Sequence, residues 1–219
     1  MREQRLVRGA EPAFAEDAAT QQYYELRALE YDDWYLGEGL FAERERPGWH
    51  EELARLRSVL AALGPATTLD VACGTAFLSR HLAGPVLGLD LSPTMVRIAA
   101  GRIAAAAVTD VLTLPVAGGA VSRAFTAHFY GHLPPEERAR FLAELRRVAQ
   151  ELVVVDTAIR PGVPPETWQE RVLKDGSRHR VFKRFLSAGQ LATEIGGSVL
   201  FEGSWFVAAR AGLVVAPRP

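Results

Sequence analysis

Several carboxylates and two imidazoles are spaced along the middle of this sequence as a ligand site would need them. Asp70, Asp90 and Asp110 each stand at the end of a short apolar run, in TTLDVA, VLGLD and AAAAVTD. Two further runs, AVSRAFTAH and ELVVVD, end at His128 and Asp156. A single aspartate in such a place is a common cap or turn former, but three at successive run ends point to a cation. A dinucleotide would bring its pyrophosphate to the first turn, where backbone N–H groups receive it. Asp70 would repel that group, and the turn Asp70-Val71-Ala72-Cys73-Gly74-Thr75-Ala76 lacks G-x-G-x-x-G. A ligand with an ammonium, a ribose diol and an adenine amine suits the acids better. Asp90 can accept from both ribose hydroxyls, Asp110 from the exocyclic amine, and Met95 can pack on the ring.

His128 and His132 are the candidate general bases, because imidazole titrates near neutrality. The plainer alternatives are that His128 contacts the ligand or packs, and that His132 ties its loop to backbone carbonyls. Tyr130, between them, is a candidate for lining a ligand pocket. Cys73 reads as a small buried filler of the first loop. His50, His81 and His179 read as surface or helix residues, and no ligand set for a metal is in view.

The elements that must carry these residues follow from periodicity. WHEELARLRSVLAAL places Leu53, Leu56, Val59, Leu60 and Leu63 on one helical stripe, stopped by Gly64-Pro65. Short apolar runs then alternate with helices: a strand over 67–72, a helix AFLSRHL, and a strand over 86–90. Ser92 caps the next helix with Pro93 at its first position. A third strand is expected over 104–110, although its alanines suit a helix too, and a fourth over 120–128. Pro134-Pro135-Glu136-Glu137 opens a helix carrying Phe141, Leu142, Leu145 and Val148, and the fifth strand covers 151–156. This alternation predicts an α/β fold with a parallel sheet covered on both faces. Residues 161–180 are proline-rich and then basic. The basic segment Arg171, Lys174, Arg178, Arg180, Lys183 and Arg184 reads as a solvated strand face, or as an attraction for an acidic substrate. After the helix SAGQLATEI, SVLFEGSWFVAARAGLVV predicts an antiparallel pair that ends the sheet.

The 219 residues fit one domain able to bury its own core. With 25 basic and 26 acidic side chains the net charge is −1, which disfavours a nucleic-acid partner. The single cysteine excludes an internal disulfide and a cysteine-based zinc site. Neither a secretory leader nor a membrane span is legible, so a cytoplasmic protein without a membrane partner, monomer or homodimer, is expected.

The motifs together resemble the class I S-adenosylmethionine-dependent methyltransferases. TLDVACGTAFLSRHL is similar to their first motif, D-x-G-C-G-T-G. VLGLDLSPTMVRIA is similar to the second-strand motif ending in a ribose-binding acid. VTDVLTLP and FYGHLPPEERARFLAELRRV are similar to the segments after the third and fourth strands, and the likeness covers roughly residues 30–212. Ala72 and Ala76 replace two family glycines, and Ala149-Gln150-Glu151 replaces the usual Pro-Gly-Gly.

The resemblance implies a Rossmann-like doubly wound sheet of seven mostly parallel strands with an antiparallel C-terminal strand and helices on both faces. It implies S-adenosyl-L-methionine as cofactor and S-adenosyl-L-homocysteine as product. Asp70, Ala72, Cys73, Gly74, Asp90, Leu91, Met95, Asp110, Val111 and Ala127 would hold the donor. EYDDWYLGEGLF resembles a lid, with Tyr31 or Tyr35 closing the site and Trp34 lining or packing. The expected organisation is a single domain over 1–219: a lid segment over 1–47, a donor-binding core over 48–158, and an acceptor-side insert with the final strands over 159–219. The expected reaction is methyl transfer to a small-molecule acceptor. A non-catalytic S-adenosylmethionine-binding or regulatory protein is the alternative, motivated by Ala72 and Ala76. A nicotinamide-dependent oxidoreductase is disfavoured by Asp70 and the missing glycines.

Overall fold

A computed structural model describes residues 17–212. The readings that fall on residues 1–16 and 213–219, including the last residues of the run AGLVV, lie outside the described residues.

The central sheet is built from β1 (Thr68–Val71), β2 (Val86–Asp90), β3 (Ala105–Val108), β4 (Val121–Ala127), β5 (Ala149–Thr157), β8 (Ser198–Glu202) and β9 (Phe206–Gly212). Their order is β3-β2-β1-β4-β5-β9-β8. The first five run parallel, and β9 runs antiparallel to both β5 and β8. The order reverses between β1 and β4, which opens a crevice at their carboxyl ends. The alanine-rich run takes the strand form, at the sheet edge as β3.

Alternate residues of the strands face opposite layers, as the two-residue period requires. Leu152 and Val154 of β5 join Phe141 and Leu145 of α5 (Pro135–Val148) and Leu191 and Ile195 of α6 (Ala188–Ile195). Val153 and Val155 face the other way, into Leu53, Leu56 and Leu60 of α3 (Trp49–Ala61). Helix α5 begins with Pro135, Glu136 and Glu137 and ends with Arg146 and Arg147, each sign at its favoured dipole end. In α4 (Pro93–Ala100), Ser92 Oγ accepts the Met95 amide at 3.0 Å.

Two expectations are corrected. AFLSRHL forms no α-helix, only a 3₁₀ turn at Ser79–His81. Ala76 is left-handed at φ 56° and Leu82 is already extended, so only five residues remain between them, too few for an α-helix to propagate. Residues 161–180 hold an antiparallel hairpin, β6 (Glu166–Val172) with β7 (Arg178–Arg184). Its basic residues are not one solvated face. Arg178 and Arg180 are exposed, whereas Lys183 and Arg184 are buried. Buried cations need partners, and these two pair with Asp156 and with Glu166 and Glu194.

The N-terminal segment, α1 (Ala18–Arg27) and α2 (Asp33–Leu36), lies over the carboxyl ends of the strands. Asp32 takes the Thr75 hydroxyl at 2.5 Å and pairs with Arg102 at 2.7 Å. Glu25 receives the Ser92 and Thr94 hydroxyls and the Thr94 amide at the start of α4. The segment also holds the hairpin, through Lys174 on Asp33 at 2.6 Å.

Candidate active site

The loop after β1 sets the floor of the site. Ala72, Gly74 and Ala76 have φ of 60°, 51° and 56°, so alanine adopts at two positions the left-handed conformation that glycine takes freely. This tight path brings the Gly74 amide onto Asp90 Oδ2 at 2.8 Å. Asp90 Oδ1 accepts the Ser92 amide at 2.9 Å. Burial outweighs these bonds and lifts the Asp90 carboxyl above its usual range. Each of its oxygens keeps a further lone pair for an outside donor.

A cavity of about 320 Å³ opens above this loop. Ala72, Gly74, Asp90, Leu91, Met95, Val111, Ala127 and Tyr31 line it, as do His128 and His132. Four expected donor contacts do not reach its wall. Asp70 is only 2% exposed beneath the loop, and one of its oxygens has no hydrogen-bond partner among the described residues. Burial, with Asp90 nearby, pushes its carboxyl up to about 7. Cys73 packs inward against Ala76 and Ala99, and burial pushes its thiol far up. Asp110 is exposed and turns to the Leu112 amide at 2.8 Å, leaving the adjacent Val111 to face the cavity. Tyr35 is stacked flat on Phe77, ring centroids 4.0 Å apart, so Tyr31 alone of the two tyrosines faces inward.

The histidines stand in different surroundings. His128 follows β4 with φ 60°, a strained conformation for a residue with a Cβ. Its Nδ1 lies 3.3 Å from Thr157 Oγ1 and 3.9 Å from Asp156, while Nε2 is buried without a hydrogen-bond partner among the described residues. Burial lowers its pKa to about 3, so the ring is neutral. His132 Nδ1 lies 2.6 Å from the Phe182 carbonyl of β7, which can only accept. Nδ1 therefore carries the proton, and Nε2 accepts from the Tyr24 hydroxyl at 2.9 Å. Burial holds His132 well below the ordinary imidazole range.

A second cavity, of about 480 Å³, adjoins the first and shares Tyr24, Tyr31, His128 and His132 with it. Trp34, Trp49, Phe185 and Trp205 contribute aromatic wall, with arginines from the N-terminal segment and the hairpin. Tyr130 belongs to neither lining and instead donates to Glu194 at 2.8 Å. Sequence reasoning missed Tyr24, Glu25 and Arg27, all on α1. Their partners lie as far as 108 positions away, and no local spacing signals such contacts. Among the described residues there is no His, Cys, Asp or Glu cluster able to hold a metal.

The seven-stranded sheet and its helices match the Rossmann-like methyltransferase fold. Residues 68–151 match a family model described as a methyltransferase domain. Among solved structures, the DhpI–SAM–HEP complex is similar with a TM-score of 0.65 and 25% identity, over 88% of this chain and 95% of that one. PH0226 protein from Pyrococcus horikoshii OT3 is similar with a TM-score of 0.59 and 17% identity, over 84% and 99%. Magnesium protoporphyrin IX methyltransferase (ChlM) from Synechocystis PCC 6803, with bound SAH, also reaches 0.59, at 16% identity over 89% and 98%. No curated protein matches the sequence. The methyltransferase-domain match and these structural likenesses support an S-adenosylmethionine-dependent methyltransferase, consistent with class I.

Proposed function

We propose that this chain transfers the methyl group of S-adenosylmethionine to a small-molecule acceptor, with the donor in the first cavity and the acceptor in the second. The observation that carries this reading is the pair of adjoining cavities with four side chains in common. Both volumes lie in the range of small-ligand sites. When bound, S-adenosylmethionine supplies a methyl group on an electrophilic sulfonium.

Asp90 offers its free lone pairs to the ribose hydroxyls, Met95 and Leu91 pack on the adenosine, and Val111 borders the adenine. The acids at and below the loop suit the positive charge of the donor. Tyr31 and the N-terminal segment exclude water. The Tyr24 hydroxyl, hydrogen-bonded to His132 Nε2, stands at the boundary of the two cavities, where it can hold the acceptor's nucleophilic atom toward the donor. His128, buried and neutral, borders both cavities. The segment 17–47 and the hairpin form the acceptor side, and one domain carries the whole.

The alanines of the first loop reach the left-handed conformation that the glycines supply elsewhere, which favours a competent donor site over a non-binding relative. Isothermal calorimetry with S-adenosylhomocysteine tests the assignment. Asp90→Ala removes a charged acceptor and is expected to weaken binding about 10- to 100-fold. An unchanged affinity overturns the site. Methyl transfer to an acceptor, followed as release of S-adenosylhomocysteine, separates the enzyme from a binding protein.

A further inference from the structure

The wall of the second cavity holds six cations, Arg27, Arg44, Arg46, Arg160, Arg171 and Lys183, against one carboxylate, Glu45. Lys183 is committed to Asp156 at 2.6 Å. The arginines are not. Among the described residues none of these five forms an ion pair, whereas Arg102, Arg123 and Arg184 elsewhere each have a carboxylate.

Arg27 is the most telling. It is 7% exposed, yet its guanidinium only donates to the Tyr23 hydroxyl at 2.9 Å and lies over the Tyr31 ring at 5.0 Å. Arg171 reaches in from β6 and donates to Gln169 Oε1 at 2.5 Å. Burial, and after it the charge of Arg27 among others, hold Arg171 below the ordinary guanidinium range. The guanidinium carbons of Arg46 and Arg160 lie over the Trp49 and Trp205 rings, at 3.9 and 4.5 Å, and Arg46 also donates to the Trp34 carbonyl at 2.7 Å. A guanidinium over an aromatic ring can keep its N–H groups for another acceptor. Burying an unpaired cation is costly unless a partner arrives. The forked N–H geometry of arginine matches the oxygens of a carboxylate or phosphate.

We propose that the acceptor carries an oxyanion group, carboxylate or phosphate, and that Arg27 and Arg171 bind it in the second cavity. The group then sits at the arginine end, and the rest of the acceptor reaches Tyr24 and His132 at the boundary with the donor cavity. This rests on the assignment of methyl transfer to the paired cavities.

The test uses the full chain saturated with S-adenosylhomocysteine, titrated at constant ionic strength with inorganic phosphate, with acetate, and with neutral acetamide as control. Either anion is expected to bind and acetamide to bind far more weakly. Affinity should fall at least about tenfold in Arg171→Gln and in Arg27→Gln, while affinity for S-adenosylhomocysteine stays within about twofold. The tighter of the two anions identifies the headgroup. Absence of binding by both anions, equal binding of acetamide, or unchanged anion affinity in the variants overturns the proposal. Arg171→Lys guards against misfolding, because it keeps the charge and should recover part of the affinity. Failure of S-adenosylhomocysteine itself to bind overturns the underlying donor site instead.

Discussion

Ala72 and Ala76 have the same left-handed backbone but different surroundings, and this separates their expected substitution effects. A non-glycine residue in this region costs about 1–2 kcal/mol, while glycine costs about 0.4–1 kcal/mol through the unfolded chain. Ala72 is half-buried at the cavity wall. Ala72→Gly should therefore raise Tm by a few degrees, and a fall in Tm would count against strain at this loop. Ala76 buries its methyl against Cys73 and Ala99, whose loss costs about 0.8 kcal/mol, so Ala76→Gly should be nearly neutral. Asp70 is expected to govern a pH effect. With its carboxyl raised from 3.8 to about 7, the folded state holds this proton more tightly than the unfolded chain. The resulting stability is complete below about pH 4 and is lost as pH rises through about 7. Asp70→Asn removes that loss, so its Tm relative to the parent should improve between pH 5 and pH 8. A difference independent of pH would refute the raised carboxyl. At this scale Asp90, Met95 and the loop were legible from type and position. Asp70 and Asp110 were legible as strand ends, but not in their orientation: one is buried under the turn it begins, and the other is bonded to its own loop.

Elements were readable where apolar period and breakers agreed, as in α3, α5 and the parallel strands. The hairpin was not, because β7 alternates charge with charge. Only the fold shows that Arg180 meets solvent while Lys183 meets Asp156. That contact makes the hairpin part of the site. Asp156 also accepts the Gly131 and Thr157 amides, both at 2.7 Å, and Phe182, the neighbour of Lys183, holds His132. Burial opposes ionisation of Asp156, yet the charge of Lys183 and the hydrogen bonds it and the Thr157 amide donate hold its pKa below the usual value. Lys183→Met would leave that carboxylate buried without its counter-charge, at an expected cost of about 3–5 kcal/mol. The double variant Asp156→Asn, Lys183→Met should recover much of this in urea denaturation. A single-variant loss below about 1 kcal/mol would mean that the pair does not hold the hairpin in place.

Over the whole molecule, near-zero net charge conceals a separation: acids gather at and beneath the donor loop, while unpaired arginines gather one cavity further out. The N-terminal segment spans both regions and so joins the two halves of the site. Within it α2 buries Tyr35 on Phe77 and packs Trp34 on Trp49, whereas α1 and the turn after it meet the core through polar contacts, Glu25 on Ser92 and Thr94 and Asp32 on Thr75 and Arg102. Among the described helices, α1 has none of the leucine stripe that fixes α3. A ligand that enters beneath this segment must meet it open, and polar partners exposed on opening are rehydrated at little cost. Amides of α1 should therefore exchange hydrogen sooner than those of α3 and α5 in the free protein. With S-adenosylhomocysteine at 100 times its Kd, mass action adds about 2.7 kcal/mol to any opening that releases the ligand. Protection of α1 and of the loop after β1 should then rise together by about two decades. Arg102→Met, which breaks the Asp32 contact outside both cavities, should speed exchange of 30–36 and leave α5 unchanged. Equal protection of α1 and α5 in the free protein would show that the segment is part of the rigid core and that the donor enters by another route.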